Sequence, residues 1–178
     1  MEAGKPGGRE WSTQIMTRLF YAGPPLRVLH EEYAKNGRID QQAPVTTAYG
    51  VNIGAPRERV WELLASPLGW EAFDPAIHDV RLDGPVAADT AFTWANGGAR
   101  MKSTFAVVNP GRELTWTGSS MGFKVVHRHL LDDAEGGGTH LRCEESMAGP
   151  LLTLIYSEAR LRATLAKWLA AVKTAAER

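Results

Sequence analysis

The chain has 178 residues, enough for one sizeable core, and its 20 lysines and arginines balance its 20 aspartates and glutamates. That neutrality supplies no global field for an anionic surface, so nucleic-acid binding is not expected. The one cysteine, Cys143, cannot form an internal disulfide, and no apolar run approaches the roughly 18 residues that span a bilayer, so a soluble cytoplasmic protein without membrane insertion is the expectation.

Residues 1–43 differ in composition from the rest and read as an N-terminal extension. Met1–Trp11 is polar and Gly-rich, without the apolar core of a signal peptide, and Met1–Arg9 is expected to be disordered. After Gly23, Pro24 and Pro25 start a short helix in which Leu26, Leu29 and Tyr33 share a face until Asn36-Gly37 stops it. It is expected to cover part of the domain surface, a homodimer contact or a cavity lid being the alternatives. His30 reads as a surface residue rather than a ligand.

From Val45 the period changes to two, with Val45, Thr47, Tyr49, Val51 and Ile53 on one face of a strand. Pro56 opens a helix whose Val60, Trp61, Leu63 and Leu64 form an apolar face ending near Ser66-Pro67, and a second short helix or turn passes through Trp70 and Phe73. Strands follow at about 77–83, 90–95, 99–108, 112–118, 123–132 and 139–147, joined by Asn96-Gly97-Gly98, Asn109-Pro110-Gly111 and Gly136-Gly137-Gly138. A last amphipathic helix, Leu151 to Val172, carries Leu151, Leu154, Ile155, Leu161, Leu165, Trp168, Leu169 and Val172 as its stripe. At a rise of roughly 1.5 Å per residue it spans about 33 Å and can cross a small domain. The predicted architecture is α+β: residues 44–178 form one curved antiparallel β-sheet wrapped around the long C-terminal helix, with an internal cavity between them.

Strand alternation then selects the lining. Phe123, Val125, His127, His129 and Leu131 share a face against Lys124, Val126, Arg128 and Leu130, and the charges belong outside, so both histidines point inward. By the same alternation Leu141, Cys143, Glu145 and Met147 point inward, opposite His140. Phe92, Trp94, Met101, Phe105 and Trp116, with Leu114, complete an aromatic wall. Tyr49, Phe123, Cys143, Leu154, Leu161 and Leu165 join them as candidate ligand-binding residues. Glu158 interrupts the helix stripe and belongs either at the cavity portal or with Arg162 at i+4 spacing. Cys143 has no evident base in sequence and reads as a small core side chain, and His78 reads as solvated or at the pocket mouth.

Ala55-Pro56-Arg57-Glu58-Arg59-Val60-Trp61-Glu62-Leu63-Leu64 resembles the opening helix of the START/Bet v 1-like (SRPBCC) superfamily, polyketide cyclase/dehydrase-like branch. Trp70 with Phe73, Asp74 and Pro75 is similar to the segment that follows it there, Phe73 replacing a second Trp. Phe92-Thr93-Trp94, Pro110, Leu114-Thr115-Trp116-Thr117-Gly118, Gly137-Gly138-Thr139, Glu144-Glu145-Ser146 and Gly149 fall in that family's order. The resemblance implies a helix-grip fold over residues 45–178 and a hydrophobic or aromatic, lipid- or polyketide-like ligand. It implies neither metal nor other cofactor. It does not choose among carriers, cyclases and members of other roles. His129 stands where such proteins often have Trp.

Three readings of His127, His129 and Glu145 remain open. Glu145 can fix a histidine tautomer in a satisfied buried network. A neutral-range imidazole held by a carboxylate can transfer protons as His127 with Glu145, and His129 or Tyr49 can bond a substrate oxygen. His-x-His with a carboxylate also has acceptable metal-ligand types, but the spacing alone carries no metal site. The functional expectation is therefore binding of a hydrophobic small molecule. A cofactor-independent cyclase, aromatase or dehydratase is the alternative, and a partner-binding module like chaperone co-regulators the second, which needs an exposed apolar patch.

Overall fold

The computed structural model describes residue 16 and residues 18–178. The disorder expected for Met1–Arg9 lies outside the described residues. Seven strands, β1 (Val45–Ile53), β2 (Ile77–Leu82), β3 (Ala91–Asn96), β4 (Ala99–Asn109), β5 (Glu113–Ser120), β6 (Phe123–Asp133) and β7 (Thr139–Ala148), form one antiparallel sheet in the order β1-β7-β6-β5-β4-β3-β2. Register shifts at His78/Arg81 in β2 and Phe105/Val107 in β4 mark bulges, which bend strands and increase twist, so the sheet curls. Between β1 and β2 the chain crosses the open side as helix α2 (Arg57–Leu64) and a 3₁₀ turn (Pro67–Ala72).

The C-terminal helix differs from the sequence expectation. It is not continuous from Leu151: a single short turn, α3 (Leu152–Ile155), ends at Tyr156 in extended backbone, and α4 (Glu158–Ala176) starts afresh. Ser157 is the physical reason. Its side chain accepts the Arg160 amide at 3.2 Å, an N-cap that satisfies one of the orphan donors of the first turn. The 19 residues of α4 give a rod of about 28 Å that packs along β1 and against α2, burying Leu161, Leu165, Trp168, Leu169 and Val172. Leu154 and Ile155, assigned to that buried stripe from the sequence, are instead 69% and 57% exposed.

The convex face of the sheet is also covered. Residues 26–36 run as helix α1 (Leu26–Val28), a π turn (Leu29–Tyr33) and a 3₁₀ turn (Ala34–Asn36), ended by Gly37 at φ 67°. Leu29, Ala34 and Ile39 pack on Ala106 and Val126 as a second small core, with Tyr33 against it. This strap changes two sequence assignments. His30 is buried, with Nδ1 at 2.9 Å from Thr117 Oγ1 and Nε2 at 2.9 Å from Asp89. Arg128 faces away from the grip as expected but is buried, bonded to Glu113 at 3.0 Å and Glu144 at 2.7 Å. Lys124 donates to the carbonyls of Gly23 and Pro24, and the Tyr21 hydroxyl donates to Asp40 at 3.0 Å. Burial and the neighbouring Asp40 push the Tyr21 phenol up to about 12.

Candidate functional site

Between sheet and helix the expected internal void is occupied by aromatic side chains. Trp70, from the 3₁₀ turn, is fully buried and its ring centroid lies 5.7 Å from Trp116, 6.0 Å from Trp94, 6.3 Å from Phe92 and 5.4 Å from Trp168. Phe92 stacks on Phe105 at 4.3 Å, and Trp116 stacks on His127 at 4.2 Å. Such separations are those of rings in direct contact. Phe92, Trp94, Phe105 and Trp116 thus meet between sheet and helix, and Trp70 and Trp168 supply the bulk that fills the space they surround. Two clefts of about 370 and 290 Å³ open to solvent elsewhere, one lined by α2 and Phe73, the other by Asn52, His140 and the β6–β7 turn.

The other assigned residues divide. Leu161, Leu165 and Cys143 are buried in the same core, Tyr49 and Phe123 are half-buried against it, with the Arg162 guanidinium 5.1 Å over the Tyr49 ring, and Met101 is half-buried without being part of it. Leu154 is outside it. Glu158 is exposed and bonds Arg18 at 3.3 Å, while Arg162 turns instead to the Ala48 carbonyl at 2.8 Å, so the i+4 pair does not form. His78 reaches the Gly97 carbonyl at 3.0 Å, and His140 bonds Asn52 at 2.6 Å.

The polar centre arises from strand register. In the β6–β7 ladder His127 is opposite Glu145 and His129 is opposite Cys143, which places all four on the concave face. His127 Nδ1 bonds the Glu145 carboxylate, and its Nε2 lies 3.2 Å from His129 Nε2 and 3.2 Å from Cys143 Sγ. Cys143 thus has a base beside it that the sequence did not reveal. The Trp168 indole N–H donates to His129 Nε2 at 2.8 Å. That bond fixes His129 Nε2 as an acceptor, so neutral His129 carries its proton on Nδ1, a buried atom without a partner among the described residues. Glu145 accepts from His127 Nδ1–H, and His127 Nε2 can in turn accept the Cys143 S–H. Trp168 is the site residue missed from sequence. Its place in the helix stripe made it look like packing alone, because its N–H had no visible partner.

Burial holds His129 well below the ordinary histidine range, with His127 adding to the effect, and holds the Cys143 thiol well above its usual value, with Glu145 and Glu144 adding. For His129 the sign follows directly. The unfolded chain takes up a proton near pH 6.5 that the folded chain refuses, so this stabilisation is complete above that pH and lost as pH falls below it. Stability is expected to drop below pH 6.5 by up to about 1.4 kcal/mol per pH unit from this one residue. Urea titrations from pH 7.5 to 5 should show that slope, and His129→Leu should reduce it. An unchanged slope would mean that His129 is already charged in the fold.

The sequence-family model described as polyketide cyclase / dehydrase and lipid transport matches residues 44–177. No curated protein matches at a significant level. Among solved structures, a hypothetical protein of Helicobacter pylori superposes with a TM-score of 0.64 at 17% identity, over 74% of this chain and 86% of that one. Norcoclaurine synthase of Thalictrum flavum gives 0.59 at 11% identity, over 72% and 91%. One di-domain aromatase/cyclase from the BE-7585A biosynthetic pathway gives 0.58 at 15%, over 75% of this chain and 50% of that one. At such identities the superpositions speak for the fold alone. The family match over residues 44–177, with the seven-stranded antiparallel grip and the closing helix, places the chain in the polyketide cyclase / dehydrase and lipid transport family.

Proposed function

We propose that the protein binds a flat, largely apolar small molecule between sheet and helix and holds it without chemical change. The observation that carries this reading is the aromatic cluster itself: Trp70, Trp94, Trp116 and Trp168, with Phe92 and Phe105, meet between the sheet and α4. Flat rings stack on such surfaces with little loss of side-chain entropy, and the half-buried Tyr49 at the edge of the core carries a hydroxyl that can orient a ligand. Entry requires the cluster to part. The Gly149–Ser157 segment is the natural gate, since Leu151, Leu154 and Ile155 are exposed there and the helix is broken at Tyr156. Catalysis by His127 is the weaker reading: its nitrogens face Glu145, Cys143 and His129, leaving no ring nitrogen turned to a substrate.

Titration with a polycyclic phenol should quench tryptophan emission saturably at one site per chain. Trp116→Ala should weaken that binding at least about tenfold, since one stacked ring is worth roughly 0.5–1.5 kcal/mol beyond its buried area. Saturable binding indifferent to Trp116→Ala, or no saturable quenching at all, would overturn the reading.

A further inference from the structure

The contact between two histidine nitrogens is the least explained feature of the core. His127 Nε2 and His129 Nε2 stand 3.2 Å apart, yet the His129 lone pair already receives the Trp168 N–H. If His127 is neutral with its proton toward Glu145, two lone pairs face each other. If His127 is doubly protonated, two N–H groups compete for one lone pair. With His127 neutral, its Nε2 takes the Cys143 S–H and His129 Nε2 takes the Trp168 N–H, yet the two lone pairs stay face to face at 3.2 Å, while His129 Nδ1 remains unpartnered in a fully buried ring. The third group at this point is a thiol, whose Sγ is 3.2 Å from the same His127 nitrogen.

A cation fits these donors better than a proton does. His127, His129 and Cys143 each present one ligand atom, all within 4.8 Å of one another. With metal–nitrogen and metal–sulfur bonds of about 2.05 and 2.3 Å, a tetrahedral ion separates two nitrogens by about 3.3 Å and a nitrogen from a sulfur by about 3.5 Å. The observed 3.2 Å between the two histidine nitrogens and 3.2 Å between His127 Nε2 and Cys143 Sγ are within a few tenths of an ångström of those values, and the remaining pair lies within 4.8 Å. The surrounding shell has the matching form: His127 turns its other nitrogen to the Glu145 carboxylate, the arrangement that orients metal-bound imidazoles and raises their basicity.

We propose that His127 Nε2, His129 Nε2 and Cys143 Sγ form a binding site for Zn²⁺, with the fourth position open toward the aromatic cluster. Imidazole and thiolate together suit this ion, and three protein ligands with one open position is its arrangement in reactive sites. Binding converts the thiol to a thiolate and releases its proton to solvent, and the thiolate and Glu145 carboxylate balance the two positive charges of the ion. Trp168 must release His129 Nε2 and turn its indole, so metal binding moves a ring that touches both Trp70 and Phe73. The metal site rests on its own donor geometry, but it shares Trp168 with the surface proposed for the organic ligand, so the two occupants are coupled through that ring.

Co²⁺ serves as the spectroscopic probe, added to the full native chain and, to bypass slow entry into a buried site, during refolding from urea. One Co²⁺ per chain should bind with a thiolate-to-cobalt charge-transfer band and tetrahedral visible bands, and Zn²⁺ should displace it. Cys143→Ser should abolish the charge-transfer band. Glu145→Gln should keep the band but weaken binding about 10- to 100-fold, the usual consequence of losing an outer-shell partner. The absence of a charge-transfer band from the native chain after both treatments would overturn the proposal, as would a band that survives Cys143→Ser. Should Cys143→Ser fail to fold, an affinity unchanged in Glu145→Gln would do the same.

Discussion

Trp70→Ala is expected to destabilise the fold by about 3–5 kcal/mol, the range for truncating a fully buried large aromatic side chain. Total stabilities of such domains are about 5–15 kcal/mol, so the variant should stand near the edge of folding at 25 °C. Trp70 is fully buried, its indole N–H donates to the Leu64 carbonyl at 3.2 Å, and its ring touches four other aromatic rings from β3, β5 and α4. The residue therefore ties the crossover segment to both sheet and helix. Urea denaturation of the variant gives the loss, and a small apolar molecule such as benzene should recover part of it by filling the space left. A loss below about 1 kcal/mol would show that the neighbouring rings close over the gap, which is the behaviour of an interior adapted to open and refill.

Much of the architecture could be read from alternation. Strand faces follow from period two once the turns are fixed, and the glycines of the Asn96–Gly98 and Gly136–Gly138 turns fix them, with Gly97 and Gly136–Gly138 at positive φ. The same logic carried His127, His129, Cys143 and Glu145 to one face. Whether that face encloses a void was not legible, because occupancy depends on volumes contributed by residues far apart in sequence. Trp70 and Trp168 come from a turn and from the last helix, and no local pattern shows that their rings meet. Helix continuity at Leu151 failed for a different reason: an apolar run continues the 3.6 period through Leu154 and Ile155, but a serine cap at Ser157 outweighs it. His30 misled because a histidine in a polar extension looks solvated until the strap is known to lie on β5, over Thr117.

The convex strap and the concave centre meet through β6, whose successive residues serve opposite faces. His127 and His129 enter the grip, while Val126 and Arg128 are buried under the strap. Such a strand is buried on both sides, so neither face can change register without unseating the other. This fixes His127 opposite Glu145 more firmly than a solvent-backed strand could, which holds the buried bond between them in place.

Removing His127 is expected to cost more than removing Glu145. His127 and Glu145 are 7% and 9% exposed, so each depends on the other for its polar partner. His127→Ala leaves a buried carboxylate without the N–H that it accepts, a loss at or above the top of the range of about 1–3 kcal/mol for an unsatisfied buried group, because this one is charged. Glu145→Ala leaves an imidazole that can stay neutral, so the cost is that of one unsatisfied N–H, about 1–3 kcal/mol. His127→Gln should fall below His127→Ala, because the amide N–H can still donate to Glu145. Chemical denaturation of the single variants and of the double His127→Ala/Glu145→Ala completes a thermodynamic cycle, and the double variant should lose less than the sum of the singles by at least about 1 kcal/mol. Equal single losses that simply add would mean that the two side chains stand side by side without depending on each other. The larger loss for His127 would instead mark the histidine as the group that lets a carboxylate reside on the concave face of this sheet.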